Sequence, residues 1–173
     1  MMKINSSFSV VIRLLLWLLL LLGGMVIGVR SDMEDSLFLS PLFHLFSAAA
    51  GFVVIVLAFR AARHGGRELA KGRVGEIPRL ETNSLITSGI YSCMRHPMLF
   101  GLTLLPLGWA LLVGSPTFIL LIAPAEMLFI IFMVIVFEEL EVRKKFGDAY
   151  RAYAREVPMV SFNRSCLKAL FSK

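Results

Sequence analysis

The side chains able to do chemistry gather at two places where charge meets a long apolar run. The first is Leu85-Ile86-Thr87-Ser88-Gly89-Ile90-Tyr91, followed by Arg95-His96-Pro97 and then Gly101; the second is Glu138-Glu139. Together they offer an aromatic ring, a guanidinium, an imidazole and two carboxylates. Such a junction can hold a polar molecule beside a lipid-facing one. A further carboxylate, Glu126, stands inside an apolar stretch next to Pro124. An unpaired charge in lipid is costly, so Glu126 is expected to be protonated, paired or turned to a cavity, and it shares the role of candidate catalytic base with Glu139. The two cysteines, Cys93 and Cys166, have no metal-ligand spacing, and nothing marks either as a nucleophile.

These groups need elements to position them. Pro97 suits the first turn of a helix, because its fixed φ fits there and its missing N–H would have no partner inside the helix. The helix is therefore expected to start near Pro97, with Arg95 and His96 at its mouth, where free backbone N–H groups attract a carboxylate. Read alone, Arg95 is better explained as an anchor of the helix at the level of lipid headgroups, since basic residues commonly mark cytosolic helix ends. Near the second cluster, helical spacing pairs Glu139 with Arg143 and Glu141 with Lys145, as ion pairs on a surface. Glu138 is left without such a partner.

The composition fixes the setting. Hydrophobic residues make up 57% of the 173 and charged ones 17%, and the mean hydropathy is +0.77, values that exclude an ordinary soluble domain. An all-α, multi-pass membrane protein is expected, organised as one domain over residues 1–173. Its spans fall at about 8–29, 41–59, 98–114 and 116–137, with Arg13 snorkelling in the first. Between spans two and three, Arg60, Arg63, Arg67, Lys71, Arg73, Arg79 and Arg95 outnumber Glu68, Glu76 and Glu81. By the positive-inside rule the loop 60–97 is cytosolic, as is an amphipathic tail 138–173, while the acidic connection at Asp32, Glu34 and Asp35 lies on the other side. The basic residues flank apolar spans without an aromatic-basic surface, so they read as topology signals and no nucleic-acid partner is expected. Cysteines on the cytosolic side are not expected to be disulfide-bonded. His44 reads as packed or interfacial, and His64, before Gly65-Gly66, as part of a solvated turn.

The ordered set Leu85-x-Thr87-x-Gly89-x-Tyr91, Arg95-His96-Pro97-Met98, Gly101, Glu138-Glu139, Phe146-Gly147, Tyr150, Tyr153 and Val157-Pro158 resembles the isoprenylcysteine carboxyl methyltransferase and phospholipid methyltransferase superfamily. The likeness covers roughly the last half of the chain. It implies an integral-membrane methyltransferase that uses S-adenosylmethionine, in a cytosolic pocket roofed by the tail. Carried over by position, the cofactor contacts are Asn83, Ser84, Leu85, Ile86, Tyr91, Arg95, His96, Pro97, Met98, Leu99 and Glu138. In this picture Tyr91 packs against adenine, His96 meets the carboxylate, and Glu138 takes the ribose hydroxyls or the amine. The acceptor is lipidic or a small hydrophobic molecule entering from the bilayer.

The chain departs from the superfamily pattern at Ile90, where proline is common, at Ser92, where arginine is common, and at Leu99, where tyrosine is frequent. Val134 also stands in an apolar stretch where prenylcysteine-methylating members carry an arginine. Two other classes are weighed against this one. Membrane sterol and enone reductases resemble the superfamily in fold and use a nicotinamide cofactor, NADPH; a membrane scaffold with a lipid-binding tail would need neither His96 nor Glu138.

Overall fold

The computed structural model describes residues 6–73, 75 and 82–171. The side chain of Arg13 and the loop residues Glu76, Arg79 and Glu81 lie outside the described residues. All regular structure among the described residues is helical: α1 (Ser6–Asp32), α2 (Pro41–Ala70), a 3-10 turn (Gly89–Ser92), α3 (Pro97–Val113), α4 (Ala123–Met133), α5 (Glu139–Glu156) and α6 (Arg164–Phe171). π-helical turns at Phe118–Ile122 and Val134–Glu138 join α4 and α5 into one run, Phe118–Glu156.

Three helical stretches are long and apolar enough to cross a membrane, and α3 is a shorter apolar helix. Its 17 residues span about 25 Å, slightly less than a bilayer core of about 30 Å. The long helices turn large apolar side chains outward, among them Leu19, Phe52, Leu120 and Leu128. Water would not tolerate so much exposed hydrocarbon, whereas lipid solvates it and leaves the helical hydrogen bonds intact.

The chain forms two compact units. The first comprises Met1–Val53 and Pro106–Met127. Here α1 uses Gly24-x-x-x-Gly28 for close approach: an added Cβ would stand 2.8 Å from the Phe118 ring at Gly24 and 2.7 Å from Phe118 Cβ at Gly28. Small residues at this spacing let helices meet without side chains between them. Asp32, at the end of α1, accepts from the Ser115 hydroxyl, the Thr117 hydroxyl and the Thr117 N–H, so it caps the start of the Phe118–Glu156 run from another helix. His44 is packed, its Nε2 lying 2.6 Å from the Phe38 carbonyl. An apolar cleft of about 390 Å³ lies among Leu37, Phe43, Phe46, Leu111, Pro116 and Ile119. No titratable group lines it, so it is not where acid-base chemistry is placed.

The second unit comprises Val54–Leu105 and Leu128–Lys173. Its core gathers Ala61, Ile90, Tyr91, Met94, Cys166 and Leu170. Gly101 brings α3 against the backbone of α2, an added Cβ lying 2.6 Å from the Ala58 carbonyl oxygen and 2.7 Å from the Ala62 nitrogen. Three expectations are corrected in this unit. α2 continues to Ala70, so His64 is in a helix, with Nδ1 3.2 Å from the Leu170 carbonyl, because α6 packs there and gives the ring a partner. Cys93 and Cys166 form a disulfide across 73 residues, because the core places α6 beside the 3-10 turn. Glu141 and Lys145 form no ion pair; both are exposed, and the Lys145 ammonium lies over the Phe146 ring.

Candidate functional site

The site belongs to the second unit and is built from the start of α3, the start of α5 and the tail. α3 begins at Pro97, which is fully buried. The two N–H groups before it are already used: Arg95 N–H donates to the Pro158 carbonyl (3.0 Å) and His96 N–H to the Met159 carbonyl (3.2 Å). After α5 the chain leaves the helix at Val157 (φ −112°, ψ 124°), and the turn that follows presents the Pro158 and Met159 carbonyls to the segment before α3. The tail thus takes the His96 donor at the mouth of α3.

Glu138 closes the π turn Val134–Glu138 and Glu139 follows it. Such a turn holds one residue more than an α-helical turn, so it rotates the next residues around the axis. The outcome separates the pair. The Glu138 side chain is 46% exposed, while Glu139 is 5% exposed. Glu139 Oε1 accepts from His96 Nε2 at 2.8 Å and from the Tyr150 hydroxyl at 2.7 Å, and Arg95 Nη2 is 3.3 Å away. Glu139 Oε2 faces Arg143 Nε at 3.4 Å. Glu139 is therefore a buried hub and not the surface ion pair that helical spacing suggests; its pairing with Arg143 is one contact of four. His96 Nδ1 stands 4.0 Å from Glu138 Oε2, with no hydrogen-bond partner among the described residues.

Tyr150 reaches Glu139 only because α5 is broken. Eleven residues of straight helix measure about 16 Å, beyond the reach of the two side chains. Gly147, at φ 56° and ψ −129°, is non-helical and kinks the chain between them. Glycine suits this position because a side chain disfavours positive φ. Beyond the bend, the Tyr153 hydroxyl donates to the Tyr91 carbonyl, Arg95 Nη1 donates to the Ala154 carbonyl at 3.4 Å, and the Arg95 guanidinium lies over the Tyr150 ring. The disulfide adds a covalent link between the motif and α6.

The other sequence-derived positions are more dispersed. Asn83 and Ser84 are exposed, Leu85 and Ile86 half-buried, and the Thr82 hydroxyl bonds to the Gly72 and Ser84 carbonyls to shape that segment. Tyr91 sits in the core, its hydroxyl 3.4 Å from the Gly65 carbonyl; burial raises its phenol pKa well above the ordinary value, so it stays a donor. Its ring is thus largely committed to protein packing. Leu99 is buried, and Met98 packs on Gly65. Glu126 is grouped in the first unit, buried beside Gly24, with Oε2 unpartnered. Tyr150, Tyr153 and Arg143 join the site without having been assigned to it. Tyr150 and Tyr153 belong to the ordered set that carries the superfamily resemblance, but helical spacing gives no reason to place Tyr150 beside Glu139.

A protein-family model described as phospholipid methyltransferase matches residues 45–149. The matched stretch holds Arg95, His96, Glu138 and Glu139 and stops short of Tyr150, Tyr153 and Pro158. No curated protein and no solved structure gives a significant match.

Proposed function

We propose, because the chain belongs to the phospholipid methyltransferase family, that it transfers a methyl group from S-adenosylmethionine to a lipidic or small hydrophobic acceptor reached from the bilayer. The observation that carries this reading is the meeting of Arg95-His96 with Glu138-Glu139, segments 43 residues apart, in a chain whose other long helices are apolar. The donor set suits such a cofactor. Glu138 is an accessible carboxylate able to accept from a ribose diol or an ammonium group, and His96 Nδ1 is an unused ring nitrogen beside it.

S-adenosylmethionine, when bound, supplies an electrophilic methyl on a sulfonium. The chain's residues supply position. His96 and Glu138 would hold the polar end, the segment from Asn83 to Ile86 would line the same pocket, and Pro97, Met98, Leu99 and Tyr91 would close its apolar wall. Arg95 contributes by fastening the segment to Glu139 and the tail. Alignment and the exclusion of water by the tail are the main contributions to rate. An acceptor that is already anionic needs no base, while an amine must first lose a proton. The basic residues of α2 beyond Phe59 and of α5 support a cytosolic position for the site, with both termini on that side.

Equilibrium binding to the detergent-purified protein tests the reading. Labelled S-adenosylmethionine should be retained and displaced by S-adenosylhomocysteine, and NADPH should not be. Retention of NADPH instead would favour a reductase; retention of neither would favour a scaffold.

A further inference from the structure

Glu139 accepts at Oε1 from an imidazole and a phenol, with a guanidinium 3.3 Å away, and a second guanidinium faces Oε2. A proton-accepting carboxylate needs a free lone pair facing the substrate; Glu139 Oε1 already holds two donors, and Oε2, which has no hydrogen-bond partner among the described residues, is buried against Arg143 and closed to a substrate. The same contacts fix the hydrogen on His96. Arginine is always a donor and cannot accept, so a carboxylate facing Arg95 and Arg143 is an acceptor, and the ring nitrogen 2.8 Å from it must carry the proton. In the neutral ring the other nitrogen, Nδ1, then holds a lone pair, and it faces Glu138.

We propose that Glu139 is a positioning residue: it holds His96 with its proton on Nε2, so that Nδ1 and the Glu138 carboxylate form an acceptor pair for the N–H groups of an ammonium or amine. The inference rests on the methyltransferase reading for the identity of that ligand and deepens it. It reverses the expectation that His96 meets a carboxylate, since a lone pair repels an anion. It also makes the tail part of the site, because Tyr150 and Arg95 keep Glu139 in place and both are bound to the segment after Gly147. Two sources can supply the ammonium, the amino-acid end of S-adenosylmethionine or an amine methyl acceptor.

The chain has three histidines, so ¹⁵N-histidine spectra in detergent, with His96→Asn to assign the ring, report its tautomer without any ligand. The wild type should show the proton on Nε2. Glu139→Ala should lose the downfield shift that the carboxylate imposes on the bonded Nε2–H, while Glu139→Gln, whose amide oxygen still accepts from Nε2–H, should keep most of it. Affinity for S-adenosylmethionine should fall about tenfold or more in Glu139→Ala and by less in Glu139→Gln, as expected for loss and for replacement of a charge-assisted hydrogen bond. Tyr150→Phe should lower affinity by an intermediate amount and retain the tautomer, a check that does not depend on the alanine variant folding. An unchanged His96 spectrum in folded Glu139→Ala would overturn the inference, as would Glu139→Gln that binds normally and fails in single turnover, since that is how a base behaves.

Calorimetry with decarboxylated S-adenosylmethionine and with its deaminated analogue separates the sources. If the cofactor amine is held there, loss of the amine weakens binding in the wild type and not in Glu138→Ala. If the acceptor is held, both proteins respond to the deaminated analogue alike, and ethanolamine-headgroup lipid binds the wild type more tightly than Glu138→Ala. No discrimination by Glu138→Ala in either arm would overturn the acceptor pair. Failure of the wild type to bind S-adenosylmethionine would remove the functional reading, while the tautomer result still decides the role of Glu139.

Discussion

Replacing Gly147 by alanine isolates one property, the backbone conformation at the bend of α5. A Cβ added there meets nothing within 4 Å, so no clash enters the result. The residue holds φ 56° and ψ −129°, which glycine tolerates and alanine does not, at a cost of about 1–3 kcal/mol. Taking about 2 kcal/mol, the melting temperature of a chain of this size falls by about 4–8 °C. The alternative is relaxation to helical φ. α5 would then straighten and carry Tyr150 about 16 Å along the axis from Glu139, breaking the Tyr150–Glu139 and Tyr153–Tyr91 hydrogen bonds and freeing the N–H groups of Arg95 and His96. Cofactor affinity would fall with stability in that case. Gly23→Ala is the control: it too has nothing within 4 Å, but it lies in α1 without positive φ, where alanine gains up to about 1 kcal/mol in helix propensity. Thermal unfolding in detergent, followed by tryptophan fluorescence, compares the two. If Gly147→Ala melts with the wild type and binds S-adenosylmethionine equally well, the bend does not hold the site together, and the account of Tyr150 fails.

Gly101→Ala should lower stability by about 1–3 kcal/mol through overpacking against the backbone of α2, whereas Gly66→Ala, whose nearest neighbours are Met98 Sδ at 3.7 Å and Cε at 3.8 Å, should be neutral or stabilising; equal melting temperatures would refute the close approach of α2 and α3. Glu138→Ala should weaken S-adenosylmethionine about tenfold or more, as loss of a charge-assisted hydrogen bond does. Glu141→Ala, exposed on the same helix, should leave it unchanged, and calorimetry giving equal losses would remove Glu138 from the site. Reducing the Cys93–Cys166 bond, which closes a 73-residue separation, should lower the melting temperature, though by less than the chain-entropy value of about 4 kcal/mol, because membrane helices stay inserted after unfolding and already restrain the loop. In denatured protein both cysteines should accept maleimide-polyethylene glycol only after reduction, and labelling before reduction would refute the bond.

The sequence by itself determined the class and the ingredients. Runs of uncharged residues dictate membrane helices because only helices satisfy their own backbone in lipid, Pro97 marks the start of α3 through its fixed φ, and the pairing of Arg95-His96-Pro97 with Glu138-Glu139 marks where polar chemistry is concentrated. These are local properties, legible from side-chain type and order. Which glutamate is buried was not legible: residues 138 and 139 are adjacent and alike, and the π turn that ends at Glu138, with the donors gathered around Glu139, decides that one is a hub and the other accessible. Helical periodicity also places Tyr150 three turns from Glu139, and only the bend at Gly147 brings them together. The disulfide and the use of Arg95 and His96 N–H groups by Pro158 and Met159 have the same origin. Each depends on contacts between residues far apart in the chain, where burial and packing outweigh the local spacing rules from which a sequence is read.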